Sequence, residues 1–230
     1  MSLEIEVKFY LGPPEAPLAT VIRSRIEALG GLTGGRVFEK NIRFEDPEEG
    51  LLKRRSLLRL RQDRRARLTF KSESSSVQER DRENFKVFEE LELEVGDFST
   101  MAGILGALGY HPAQVYEKWR ETFTLGAAHL CMDTMPFGEF LEIEGSREEI
   151  PLLAARLGLG WEHRILETYL GIFARLKTAL SLPFGDVTFD HFRQLSGETA
   201  SADLASCIRQ FEIGSTALIG RVVEAGGHAG

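Results

Sequence analysis

From Leu3 to Phe9 the chain alternates without a break, with Ile5, Val7 and Phe9 on one face and Glu4, Glu6 and Lys8 on the other. A side-chain period of two marks a β-strand with unlike faces. The same construction returns along the chain. Val37 to Phe44 sets Phe38, Ile42 and Phe44 against Glu39, Asn41 and Arg43. Leu57–Arg61 and Arg67–Lys71 flank the polar turn Asp63-Arg64-Arg65 as a hairpin. In it Leu58, Leu60, Leu68 and Phe70 oppose Arg59, Arg61, Arg67, Thr69 and Lys71. Phe88 to Val95 sets Leu91, Leu93 and Val95 against Glu90, Glu92 and Glu94. Strands over Val115–Thr124, His129–Asp133 and Glu139–Glu144 complete the series, with Lys118 and Arg120 on the polar face of the first and Glu142 and Glu144 on that of the last.

Amphipathic helices are available to cover the apolar faces. One spans about Ala16 to Leu29, with Leu18, Val21, Ile22, Ile26 and Leu29 on one side and Gly30-Gly31 closing it. Ser99–Leu108 ends at Gly109, Ser146 with Glu149 forms a capping box for a helix carrying Ile150, Leu153 and Leu157, and another helix spans about Arg164 to Leu180. Ser72 to Asn84 is polar and Ser-rich and reads as a mobile loop near the site. From Ser181 onward the composition changes; Pro183-Phe184-Gly185 breaks the helix, and Ser201 is placed to cap a last one through Leu204, Ile208 and Phe211.

If helices pack outside, the charged strand faces must line up on the opposite side of one sheet. About eight such strands remove their edges by closing, so the expectation is an α+β fold around a closed antiparallel β-barrel with a polar lumen. The lumen would hold an acidic set, Glu4, Glu6, Glu90, Glu92, Glu94, Asp133, Glu142 and Glu144, and a basic set, Lys8, Arg59, Arg61, Lys71, Lys118 and Arg120, with Arg67 at its margin. Residues i and i+2 of a strand lie ~6.6–7 Å apart, so a Glu-x-Glu pair can hold one hard cation, and all-oxygen ligation selects Mg²⁺ or Mn²⁺ over zinc. Any one of these strands alone is an ordinary solvated sheet face; the pattern is specific as a constellation. A polyanion bound through a metal would neutralise both sets at once, and a triphosphate is the polyanion that matches.

The formal net charge of −7 disfavours a nucleic-acid or anionic-membrane surface as partner. Cys131 and Cys207 are too few for a disulfide framework and read as free thiols. No apolar leader core opens the chain, and nothing approaches the ~20 apolar residues of a membrane span. A cytoplasmic protein is expected, and a homodimer is left open.

The quoted residues also resemble a known family. Glu4-Ile5-Glu6-Val7-Lys8 is similar to the E-x-E-x-K signature of the CYTH family, the triphosphate tunnel metalloenzymes, which include class IV adenylate cyclases, thiamine triphosphatases and inorganic triphosphatases. The likeness continues in order through Asn41, Leu58-Arg59-Leu60-Arg61, Leu68-Thr69-Phe70-Lys71, Glu89-Glu90-Leu91-Glu92, Lys118-Trp119-Arg120, Asp133 and Gly138–Gly145. The resemblance implies a tunnel domain over residues 1–178 and a C-terminal extension over 179–230. It implies metal ligation by Glu4, Glu6, Asp133, Glu142 and Glu144. It makes Lys8, Arg59, Arg61, Lys71, Lys118 and Arg120 the phosphate-gripping catalytic residues, with Glu90 and Glu92 orienting them. Two departures stand out: Phe88 where relatives carry Arg, with Lys86 on the same face as substitute, and Arg43-Phe44-Glu45-Asp46 at the end of the second strand.

The cyclase-like branch fits best, with ATP going to cyclic AMP and pyrophosphate. The alternatives are a triphosphatase acting on tripolyphosphate, thiamine triphosphate or nucleotides, and a non-catalytic polyphosphate or nucleotide binder. His111, His129 and His163 read as structural, although His129 shares the parity of Asp133.

Overall fold

The computed structural model describes residues 2–73, 79–195 and 198–212, with backbone only at 2, 79, 80 and 198–201. Nine strands form: β1 (Ser2–Gly12), β2 (Leu32–Glu45), β3 (Ser56–Gln62), β4 (Ala66–Glu73), β5 (Lys86–Val95), β6 (His111–Leu125), β7 (Ala128–Met135), β8 (Gly138–Glu144) and β9 (Arg164–Ile165). They pair in the order β5-β4-β3-β2-β6-β7-β8-β1-β9, and β1 pairs again with β5, so eight antiparallel strands form a closed ring. The helices are α1 (Pro17–Ala28), α2 (Gly50–Lys53), α3 (Glu79–Arg82), α4 (Phe98–Ala107), α5 (Glu149–Arg156), α6 (Tyr169–Ala179), α7 (Phe189–Arg193) and α8 (Glu198–Arg209). Among the described residues no helix is long and apolar enough to cross a membrane.

The alternation read from the sequence builds this ring directly. Outward-facing Val7, Phe9, Phe123, Leu130, Leu141 and Ile143 are buried beneath Ile22 and Ile26 of α1 and Ile150 and Leu153 of α5. Phe44, Leu60 and Val95 are covered by Leu105 of α4. Caps hold the helix starts: Asp97 accepts from Thr100 N–H, Thr168 from Gly171 N–H, and Ser146 Oγ from Glu149 N–H at 3.2 Å.

A third cluster fills one end of the ring. The inward parity of the strands, charged elsewhere, becomes Tyr10, Tyr116, Met135 and Phe140 there, packed with Tyr169, Ile172, Phe173 and Leu176 of α6. Leu182, Val187, Phe192, Leu204 and Ile208 from later in the chain join the same cluster. Two short segments fit the ring at this end. β9 pairs with β1 at Lys8 and Phe9, and Val187 bridges to Tyr116 in parallel, its N–H donating to Val115 O at 2.8 Å.

Several local expectations change. Arg164 and Ile165 are strand, so the helix begins five residues later at Tyr169. Leu18 and Val21 stay substantially exposed, because α1 meets the ring through Ile22 and Ile26. Ser201 lies inside α8 rather than ahead of it. Of the polar run expected as a loop, residues 74–78 lie outside the described residues, and its flanks are β4 and α3.

Gly138 opens β8 with no room for a side chain: an added Cβ would sit 2.6 Å from Tyr10 Cε2 and 2.9 Å from Gly12 O. Gly138→Ala is therefore expected to destabilise the protein by about 1–3 kcal/mol through overpacking, measured as a drop in the urea midpoint. An unchanged midpoint would show that β1 yields at this point.

Candidate functional site

Cross-strand register composes the ring interior. On β1, Glu6 stands opposite Lys86 of β5 on one side and Glu144 of β8 on the other, and Lys8 stands opposite Glu142. Glu39 stands opposite Lys118, Arg120 opposite Asp133, and Lys71 opposite Glu90. Groups that would be prohibitively costly alone are thereby matched at close range. Lys8 is 1% exposed and Asp133 fully buried, which puts the charges in the interior rather than on a wet sheet face.

Two regions follow. The deeper one holds the cations. Arg120 donates to Asp133 through Nε at 2.7 Å and also pairs with Glu142. Lys118 donates to Asp133 at 2.9 Å, and Lys8 pairs with Glu142 at 3.0 Å. Arg61 bonds Asn41 Oδ1 at 3.1 Å and pairs with Glu39 at 3.3 Å. Arg59 bonds Thr69 Oγ1 at 3.1 Å and lies 3.7 Å from Glu92, whose carboxylate accepts from Thr69 at 2.8 Å. Burial would raise Glu142, but Lys8, Arg120 and Lys118 hold it well below the usual carboxylate range.

The second region is acidic. Carboxylate oxygens of Glu4, Glu6 and Glu144 lie within 4.8 Å of one another. Burial, then repulsion from Glu6 and Glu4, pushes Glu144 up to about 7. Burial and Glu6 likewise raise Glu4. Glu6 is lowered despite its burial, chiefly by Lys86. Two of the three carboxylates, Glu4 and Glu144, thus resist ionisation, and the all-oxygen donor set fits a hard divalent cation. Lys71 pairs with Glu4 and, at 3.1 Å, with Glu90; Lys86 pairs with Glu6.

The structure thus gathers the expected residues around one interior, except Glu94, whose side chain is 56% exposed, and it divides them. Glu4, Glu6 and Glu144 form a carboxylate trio spaced as a candidate cation site, whereas Asp133 and Glu142 are engaged by Lys and Arg side chains. Glu94 pairs with Arg65 at an exposed rim, and Arg67 pairs with Asp63 there and approaches Glu92 at 3.6 Å. His129 is exposed, opposite Glu144.

Sequence reasoning left two functional residues out. Glu39 was placed on the polar face of its strand but not in the acidic set; it is buried between Lys118 and Arg61, and although burial opposes ionisation, Lys118 and Arg61 hold it at about 2. Tyr169 falls within the helix expected over about Arg164 to Leu180, with no role assigned to it. Its hydroxyl donates to Asp133 at 2.9 Å, and Lys8 Nζ lies 4.3 Å from its ring centroid. Parity could have found Glu39, but nothing local marks Tyr169.

The CYTH domain pattern matches residues 2–155. The chain belongs to the CYTH family. An adenylate cyclase candidate from Vibrio parahaemolyticus is 17% identical, with a TM-score of 0.64 over 75% of this chain and 98% of its own. A Pyrococcus horikoshii protein is 27% identical, with a TM-score of 0.56 over 72% of this chain and 96% of its own. An adenylyl cyclase candidate from Hippeastrum, described as having a dominant triphosphatase activity, is 18% identical, with a TM-score of 0.53 over 74% of this chain and 95% of its own. No curated protein matches the sequence.

Glu39 offers a test of the interior. Its carboxyl falls from the ordinary 4.5 to about 2 on folding, so its contribution is full above pH 4.5 and is lost as pH falls toward 2. Glu39→Gln should cost on the order of 3 kcal/mol at neutral pH. In urea unfolding, its deficit against the wild type should shrink as the pH is lowered through about 4. A deficit independent of pH would contradict the assignment.

Proposed function

We propose that this CYTH protein is a divalent-metal-dependent enzyme acting on a triphosphate, in the manner of a class IV adenylate cyclase. The observation that carries the reading is the juxtaposition of the Glu4–Glu6–Glu144 trio with the ammonium and guanidinium cluster in one enclosed interior. Carboxylates and cations in that quantity suit a metal–polyphosphate complex; a simple anion binder needs only the cations.

Glu4, Glu6 and Glu144 would hold Mg²⁺ or Mn²⁺, with Asp133 and Glu142 as the deeper carboxylates of the set. When bound, the cation would neutralise charge on phosphate oxygens and on the leaving group. Lys8, Arg59, Arg61, Lys71, Lys118 and Arg120 would bind and align the phosphate chain, so this chain contributes mostly positioning and electrostatics. Glu90 and Glu92 hold Lys71 and Arg59 in place. In the cyclase reaction the ribose 3′-hydroxyl attacks the α-phosphorus and pyrophosphate leaves. The second reading, attack of water on the terminal phosphorus, is favoured by the likeness to the Hippeastrum protein.

We assign residues 1–178 to the tunnel unit and 179–230 to an extension, whose described part, to Glu212, packs into the apolar end of the ring. Cytoplasmic residence accords with two free cysteines.

Incubation with ATP or with tripolyphosphate, in Mg²⁺ or Mn²⁺, and separation of cyclic AMP, pyrophosphate and phosphate tests both readings. Cyclic AMP with pyrophosphate supports the first, orthophosphate release the second, and absence of turnover on every triphosphate leaves a binding protein. Glu4→Ala combined with Glu6→Ala should lower turnover by at least about 100-fold. Full activity in that double variant would sink the metal assignment.

A further inference from the structure

The reading above reserves Glu4, Glu6 and Glu144 for a divalent cation, yet two of these carboxylates already carry an ammonium group. Lys86 pairs with Glu6, its cross-strand neighbour. Lys71 pairs with Glu4 and Glu90, reaching over β5 from β4. That long reach follows from the sequence: the residue opposite Glu4 is Phe88, which offers no charge. Glu144 has no ion-pair partner within 4.0 Å among the described residues.

The other cations of the interior are tied differently. Arg120 is held by Asp133 through two nitrogens and by Glu142 as well; Arg61 is fixed by Asn41 and Glu39; Lys118 is fixed by Asp133. Those partners are not cation-trio members. A guanidinium is a rigid fork, whereas lysine carries a compact charge on a flexible four-carbon stem. Lys71 and Lys86 therefore combine two properties found together in no other described cation of the interior: each pairs with a trio carboxylate, and each stem allows the charge to swing.

We propose that Lys71 and Lys86 are exchangeable counter-ions. In the cation-free protein they neutralise Glu4 and Glu6. A divalent cation taking those carboxylates displaces both ammonium groups, which then turn to oxygens of the triphosphate. No covalent bond changes. This proposal rests on the metal–triphosphate reading and adds how the two ligands are linked. With metal alone the displaced Lys86 would be buried without its partner and Lys71 would keep only Glu90, so the cation binds weakly until the polyanion supplies further partners. By reciprocity, the polyanion gains affinity from the cation. Phe88 is then part of the device, because a fixed cation opposite Glu4 would hold that carboxylate permanently.

Calorimetric titration of the full chain with Mn²⁺ alone, and with tripolyphosphate in saturating Mn²⁺, reads both arms. Lys86→Met and Lys71→Met should each bind Mn²⁺ alone about five-fold or more tightly than the wild type, because a competing ammonium is gone, and should bind tripolyphosphate about ten-fold more weakly. Equal or weaker Mn²⁺ binding in both variants would overturn the exchange, with the metal site itself left standing. A second measurement needs no variant. In the wild type, acetylation of Lys71 and Lys86, followed by mass spectrometry, should rise on adding Mn²⁺ and fall when tripolyphosphate follows. Unaltered reactivity, with Mn²⁺ bound, overturns the proposal. A wild type that binds neither Mn²⁺ nor tripolyphosphate removes the underlying reading and this inference with it.

Discussion

A charge removed from water must be matched or the structure will not hold it, and the interior of this ring is arranged to satisfy that condition. Lys8, Glu39, Asp133 and Glu142 lie inside because each faces an opposite charge on an adjacent strand or one strand farther. The pairing is a property of register. Sliding one strand by a single residue would turn its apolar side chains inward and its charges outward. Both faces therefore specify the same alignment, one through packing under α1, α4 and α5, the other through ion pairs. Such buried pairs give alignment more than net stability, since desolvation consumes much of the attraction.

The apolar end of the ring complements this. If the inward parity remained charged along its whole length, the interior would be a channel open to water at both ends. Tyr10, Tyr116, Met135 and Phe140 instead meet α6 and the later segments, which seal that end with aromatic packing. Tyr169 belongs to both regions, its ring in the cluster and its hydroxyl on Asp133. Burial and the Asp133 carboxylate raise its pKa well above the usual phenol range, so it remains a donor. A dry wall on one side strengthens the ion pairs beside it.

Strand existence, parity, and the sorting of charged from apolar faces were legible in the sequence because each is carried by residue type at a spacing of two. Closure was legible too, since some eight strands with the same apolar and charged faces remove their edges by closing. What was not legible depends on neighbours distant in sequence. Arg164 and Ile165 look like the start of a helix until β1 offers them a partner at Lys8 and Phe9. Val187 sits in a segment with no strand pattern and joins the ring only because β6 extends beyond β7. Glu39 differs from a solvated strand glutamate only through Lys118 and Arg61, which arrive from other strands.

The pair Glu142 and Glu144 shows the limit most sharply. As a Glu-x-Glu motif they look equivalent, two carboxylates on one strand face with the same nominal role. In the ring, Glu142 falls opposite Lys8 and is held well below the usual range by Lys8 and Arg120. Glu144 falls opposite Glu6 and is pushed up to about 7 by burial and by its acidic neighbours. A shift of two residues thus converts a counter-ion for cations into a carboxylate that calls for a cation of its own. The first strand sets this division, because Glu6 and Lys8 are themselves two residues apart on the same face. The boundary between acidic and basic chemistry therefore runs across the sheet between these two layers, and its position was fixed when β1 and β8 found their register.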